Sequence, residues 1–289
     1  MIPLATSSTD AQASVRRPVK AVFPLGGLGT RRLPASKTIP TEMMAVLDKP
    51  LIQYAVEEAY ASGFREMLFV TGHNLRSVED HFDLNLELER QLEQAKQTDL
   101  LDLVRAITPG DMACAFVRQP RPLGIANALL CVEHLLENEP FAVLLPQELW
   151  VGAPPVLQQL VDTFERTQRS VVGVTSFDSE FLGTSSRLRP LDASLAVPGG
   201  SERAGRCVFS ADLFRHLKGQ RPEGEHPNSF GDAILRLAAA EGVDALLCDA
   251  RRYDCGTREG HLRATVDLAL SQEDLAADLV QLLSAGGMR

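Results

Sequence analysis

Residues Ala21–Tyr54 read AVFPLGGLGTRRLPASKTIPTEMMAVLDKPLIQY, and this stretch decides the fold. The run from Lys20 to Leu25 has the length and apolar character of a buried strand. It breaks at Gly26-Gly27-Leu28-Gly29, followed by Thr30-Arg31. A strand feeding a glycine turn presents bare backbone N–H groups at the carboxyl end of a sheet, where open α/β folds bind phosphates. A loop then carries Lys37, Pro40 and Glu42 to Asp48-Lys49-Pro50. From Leu51 to Ala61, Val56, Ala59 and Tyr60 recur at helical spacing, and Gly63 stops the helix. Glu66–Thr71 (EMLFVT) is the next buried strand. Strand, helix, strand at this spacing is a βαβ unit, which requires a parallel sheet.

The alternation continues outward from that unit. Strands are expected at Ala113–Val117, Phe141–Leu145, Val171–Phe177 and Ala245–Cys248. Helices are expected at Ile125–Leu136, Val156–Arg166, Ala211–Leu217, Asp232–Glu241 and from Arg258 onward. Arg76 to about Val104 reads as one long polar helix with Val78, Phe82 and Leu86 on one face, either a surface helix on the sheet or an arm for self-association. Phe181–Glu202 reads as irregular, and Arg252–Gly256 as a turn. The fold class is α/β: a Rossmann-like, mixed and mostly parallel sheet with helices on both faces. Residues 1–18 read as a mobile tail, 19–272 as a single domain, and 273–289 as a C-terminal helix or tail.

Composition narrows the function classes. With 45% hydrophobic and 23% charged residues the 289-residue chain is ordinarily globular. A net charge of −9 argues against nucleic acid as a partner, since that needs clustered Lys and Arg, but leaves room for a small phosphorylated ligand. The five cysteines are odd in number and form no C-x-x-C pair, which favours reduced thiols in a cytoplasmic protein over a disulfide framework or zinc site. The N-terminus has no continuous apolar segment of the signal-peptide kind, and no run approaches the ~18 apolar residues of a membrane span.

The glycine turn is not a dinucleotide fingerprint, because Arg32 stands where G-x-G-x-x-G needs its last glycine. It is not a P-loop either, since no Gly-Lys-Ser/Thr follows. The longer pattern is more specific. Gly-Gly-x-Gly-Thr-Arg with Leu33-Pro34 is followed by Ser36-Lys37, Ile39-Pro40, Glu42-Met43 and Asp48-Lys49-Pro50-Leu51-Ile52-Gln53-Tyr54. Val117-Arg118-Gln119, Pro122-Leu123-Gly124, Gly205-Arg206 and Arg252-Tyr253-Asp254-Cys255-Gly256 follow in order. Together these resemble the sugar-nucleotide pyrophosphorylases, and within them the bacterial UTP–glucose-1-phosphate uridylyltransferases, over roughly residues 19 to 272.

The resemblance implies that UTP and glucose 1-phosphate react to give UDP-glucose and pyrophosphate. It implies catalytic roles for Arg31, Lys37 and Arg189, with Arg31 neutralising the departing pyrophosphate. It implies a nucleotide site at Gly26, Gly27, Gly29, Thr30, Gln119 and Gly124, where the Gln119 amide both donates to and accepts from a base edge. Sugar binding falls to Gly205 and Arg206, and Mg²⁺ to Asp254 and Gln147, Mg²⁺ preferring hard oxygen ligands. The family's self-association is implied as well.

The departures from the family pattern cluster at its chemistry. Thr41 stands where the family has a phosphate-contacting lysine, and Gln147 where it has the main metal aspartate. Glu148 is adjacent, but strand alternation would turn it away. The Glu-Lys-Pro motif has its nearest counterpart in Leu188-Arg189-Pro190, where Arg189 replaces the lysine, and Ala126-Asn127 replaces Gly-His. Three readings follow. The chain is an active uridylyltransferase with substituted groups, a UTP- or UDP-sugar-binding regulatory partner of an active paralogue, or a transferase for another sugar phosphate.

Overall fold

The computed structural model describes residues 17–27, 29–72, 75–175, 188–190, 205–218 and 230–285, with the backbone alone at 188–190, 283 and 285. In chain order these form β1 (Lys20–Pro24), a short ribbon β2 (Ala45–Val46) and β3 (Lys49–Pro50), α1 (Leu51–Ala61) and β4 (Glu66–Thr71). Then come α2 (Arg76–Phe82), α3 (Leu86–Gln94), α4 (Thr98–Ala106), β5 (Ala113–Arg118), α5 (Gly124–Val132), β6 (Phe141–Leu144), β7 (Glu148–Val151), α6 (Val156–Thr167) and β8 (Ser170–Val174). The remainder is β9 (Leu188–Pro190), β10 (Arg206–Phe209), α7 (Leu213–Leu217), α8 (Phe230–Glu241), β11 (Val243–Leu247), β12 (Arg251–Asp254), α9 (Arg258–Leu270) and α10 (Glu273–Ala285).

The main sheet runs β5-β4-β1-β6-β10-β8-β11-β9. β1 pairs in parallel with both β4 and β6, while β10 is antiparallel to β6 and β8. The period-two pleat explains how a continuous apolar run serves two cores. Ala21 and Phe23 of β1, Met67 and Phe69 of β4, and Ala142 and Leu144 of β6 face one core, which α1 and α6 cover. Val22, Leu68, Val70, Phe141 and Val143 face the opposite core, which α5, α7 and α8 cover. The mixed, mostly parallel α/β sheet with helices on both faces is therefore present.

Three local expectations change. The segment expected as one helix from Arg76 is three helices. Asp83 accepts the Leu84 N–H, Asn85 caps α3 by accepting from Leu88 N at 3.0 Å, and Lys96 sits at φ 55° between α3 and α4. Within this arm Leu92 and Leu101 pack inward while Leu86, Leu100 and Leu103 face outward. Arg252 to Asp254 is not a turn but part of β12, antiparallel to β7, with Asp254 opposite Glu148. The helix expected from Arg258 onward is two, α9 and α10. The expected tail at 1–18, up to residue 16, and nearly all of the irregular 181–202 segment lie outside the described residues. Among the described residues no helix is long and apolar enough to cross a membrane.

Candidate active site

The chain builds β1, β4 and β5 in one direction and then places β6 on the other side of β1. A crevice at the carboxyl ends of strands around such a reversal is where open α/β sheets bind ligands. A cavity of ≈ 810 Å³ opens there. Its wall is made by the glycine loop, the turn after β5, the turn after β6, and β12.

Each wall element has a local cause. Gly29 has φ 61°, a left-handed conformation that favours glycine, and a Cβ there would lie 3.1 Å from both Ser36 Cβ and Thr41 Oγ1. The Ser36 hydroxyl donates to the Gly29 carbonyl at 2.7 Å and holds the loop. Gln119 is buried at the end of β5, where its backbone N–H donates to the Thr71 carbonyl at 2.8 Å. Its Nε2 donates to the Gly124 carbonyl at 3.1 Å and to Asn127 Oδ1 at 2.9 Å. These two acceptors orient the amide, so Oε1 is the end that lies against Gly26, 2.2 Å from where a Cβ would sit.

Two ion pairs organise the far wall. Arg31 Nη1 donates to Asp254 Oδ2 at 3.0 Å, and the Gly256 N–H donates to Asp254 Oδ1 at 3.0 Å. The Arg31 and Asp254 side chains are 57% and 39% exposed, so this pair is worth at most about 1 kcal/mol and is easily exchanged for a ligand. Arg252 grips Glu148 with both branches, Nε to Oε2 at 2.9 Å and Nη2 to Oε1 at 3.2 Å. That pair is buried and bidentate, hence much stiffer. Burial pushes the Glu148 carboxyl up to about 7 against the opposing pull of Arg252 and Arg206.

Glu42 also lines the cavity, and burial raises its carboxyl to about 7, opposed only by its own backbone N–H. Below about pH 4.5 both folded and unfolded chains are protonated at Glu42. Between about 4.5 and 7 the unfolded chain ionises first, so raising the pH favours unfolding, and above 7 the penalty is constant. Thermal melts should therefore show Glu42→Gln more stable than wild type at pH 8, by roughly 3 kcal/mol at most, and nearly equal at pH 4. Equal melts at both pH values would contradict a buried, reluctantly ionised Glu42.

The structure brings Gly26, Gly27, Gly29, Thr30, Arg31, Gln119, Gly124, Gln147 and Asp254 to the cavity wall. Other candidate residues stand elsewhere. Lys37 is exposed on a short 3-10 turn outside the wall. Arg189 lies in β9, opposite Ala245 of β11, with β6, β10, β8 and β11 between it and β1. Arg206, expected at the sugar, is 1% exposed and donates to Glu58, Leu145 and Gly205, and it is not among the residues of the cavity wall. Gly205 lies behind Glu148, where a Cβ would be 2.0 Å from Oε2. Glu148 does not turn away. It lines the cavity together with Gln147, because Gln147 precedes β7 in a turn and strand alternation does not apply. Arg252 and Glu42 belong to the matched motifs without a role assigned from sequence, and both line the cavity as well.

The family model "Nucleotidyl transferase" matches residues 20–180. A Bacillus subtilis (strain 168) protein named UTP–glucose-1-phosphate uridylyltransferase is 34% identical over 280 residues, 91% of this chain and 95% of that relative. The chain belongs to the UTP–glucose-1-phosphate uridylyltransferase family. Solved structures agree with this. A UDP-glucose pyrophosphorylase from Acinetobacter baumannii superposes with TM-score 0.81 at 32% identity, covering 93% of this chain and all of the other. A UTP-bound UGPase from the same organism gives 0.78 at 31%, covering 92% and 98%. In this uridylyltransferase-family chain the two neutral substitutions both line the cavity, and Thr41 Oγ1 and Gln147 Oε1 are buried without a partner among the described residues.

The Gln147 oxygen, without a partner among the described residues, and the lightly held Asp254 carboxylate line the same cavity and fit a Mg²⁺ ion, which characteristically takes one or two carboxylates and completes its shell with water and substrate phosphates. Among the described residues no group of three or more acidic, His or Cys side chains forms a cage that would hold a metal on its own.

Proposed function

We propose that this chain transfers a uridylyl group from UTP to glucose 1-phosphate, giving UDP-glucose and pyrophosphate. The observation that carries this is the oriented Gln119 amide at the glycine loop, within a cavity that also holds an exchangeable arginine. Uracil N3–H is a donor and meets Gln119 Oε1. The glycine-loop backbone then lies along the phosphates, with Gly27 open on its Cα side. A phosphate oxygen of the sugar phosphate attacks the α-phosphorus in line. The new O–P bond forms as the bond to the β-phosphate oxygen breaks, and Arg31 leaves Asp254 for the pyrophosphate. Nucleotidyltransferases of this family generally use Mg²⁺. Asp254 and Gln147 would hold it, and it would supply positive charge to the phosphates.

Cytosine presents a bare acceptor at N3, so Gln119 Oε1 would repel it. UTP is therefore expected to bind at least about tenfold more tightly than CTP, the worth of a buried hydrogen bond lost to an unpaired acceptor. Gln119→Ala should weaken UTP and abolish the preference. Calorimetric titration of both nucleotides checks this, and equal binding of UTP and CTP by the wild type would overturn the placement of the base.

Two observations favour a slow version of the reaction. The charges that would assist it are absent at Thr41 and Gln147, and Arg252 is held by Glu148.

A further inference from the structure

Arg206 is among the largest fully buried side chains among the described residues, and it carries a charge. Its Nε donates to Glu58 Oε2 of α1 at 2.8 Å. Its Nη1 donates to the carbonyls of Leu145 at 3.1 Å and Gly205 at 2.8 Å. Glu58 Oε1 in turn accepts the Leu157 N–H at 3.0 Å, in the first turn of α6. The pair therefore ties together α1, the start of α6, β10 and the end of β6.

The carbonyl that Arg206 reaches is a specific one. Leu145-Pro146-Gln147-Glu148 is a tight turn closed by the Glu148 N–H donating to the Leu145 carbonyl at 3.1 Å. Arg206 donates to that same oxygen from beneath. The Gly205 carbonyl likewise accepts from both Leu145 N, at 2.9 Å, and Arg206. Gln147 at the tip of this turn and Glu148, whose N–H closes it, both line the cavity. A buried ion pair often adds little net stability over apolar residues of the same volume, and its best-attested use is fixing a geometry.

We propose that the Arg206–Glu58 pair is a positioning device. It holds the Leu145–Glu148 turn from inside the protein, so that Gln147 and Glu148 meet the substrate phosphates in one fixed arrangement. This rests on the uridylyltransferase reading for its kinetic consequence and is independent of it for its structural one.

Trp150, the chain's single tryptophan, lies two residues beyond Glu148 and reports on this segment whether or not the chain turns over. It is 6% exposed, and the Arg252 guanidinium lies 5.7 Å from its ring centre. The test compares wild type with Glu58→Leu/Arg206→Met, which replaces both charges by apolar groups, and with Arg206→Lys, which keeps a charge but loses the fork. Both are expected to melt cooperatively, with Trp150 more accessible to acrylamide than in wild type. The double variant should lose about 10²-fold in kcat, the cost of a small misplacement by a residue remote from the chemistry, with the KM for UTP nearly unchanged. Unchanged Trp150 quenching in a folded variant would overturn the proposal. So would a higher KM for glucose 1-phosphate at unchanged kcat, which would make Arg206 a ligand of the sugar phosphate. If the double variant does not fold, Arg206→Lys decides by the same quenching measurement. A wild type without turnover would refute the uridylyltransferase reading, while Trp150 quenching would still test the positioning role.

Discussion

A Thr41→Lys, Gln147→Asp double variant is expected to release pyrophosphate from UTP and glucose 1-phosphate about 10²-fold faster than the wild type. One preorganised charged group is typically worth about 10²–10³ in rate, and such contributions are not additive within a single site. Both positions suit the change. Thr41 is buried beside Gly29 with a hydroxyl that has no partner among the described residues, and a lysine there would run its stem along the wall and send its ammonium into the cavity. The Gln147→Asp change would set a second carboxylate on the cavity wall that also holds Asp254, and Glu148 is already paired with Arg252. The single variants should gain less. Gln147→Asp alone adds an anion near Asp254 without the balancing cation, and Thr41→Lys alone leaves the metal side short of charge. A continuous pyrophosphate assay on all four proteins measures the effect. A double variant no faster than the wild type would mean that these positions do not limit the reaction.

Arg206→Met, made alone, is expected to cost about 3–5 kcal/mol of stability, because it strands the Glu58 carboxylate in the interior. At about 2–4 °C per kcal/mol for a domain of this size, the melting temperature should fall by roughly 10 °C. Part of the loss comes from the carbonyls of Leu145 and Gly205, each of which loses one of its two donors. Adding Glu58→Leu should restore most of the loss, since no unpaired charge then remains, although the Leu157 N–H of α6 loses its acceptor. A differential scan of the two variants separates these terms. A single variant as stable as the wild type would show that Glu58 reaches solvent or another cation.

The fold is legible in the sequence where the apolar pattern is local. β1, α1 and β4 follow from an apolar run, a helical spacing and a second run, and the two-sided burial of Phe23 and Val22 follows from the pleat. The break of the α2–α4 arm is less visible, because Asn85 is a cap only once α3 has formed. The pairing of β7 with β12 joins Glu148 to Asp254 across a long sequence separation, and nothing local in LPQELWV announces it. Glu148 escapes the expected alternation because Gln147 lies in the turn before β7 and Glu148 is the first residue of the strand. At the site, Gly29 is readable because its φ of 61° favours glycine, whereas Gln119 is singled out only by the family resemblance. The placement of Arg206 is not readable, because a Gly-Arg motif does not say on which side of the wall the arginine lies, and only the fold shows it buried and donating to the Leu145 carbonyl. The sum of charges in the cavity is likewise hidden. Arg31 and Arg252 each look like free cations in sequence, whereas each is matched to a carboxylate in the fold.

The most direct test of the account is the wild-type reaction itself, with UTP, glucose 1-phosphate and Mg²⁺, followed by simultaneous detection of UDP-glucose and pyrophosphate. The two products are expected in equal amounts, formed slowly, saturably with UTP and only when sugar phosphate is present. UTP that binds in calorimetry yet yields no UDP-glucose above the enzyme-free background would contradict it.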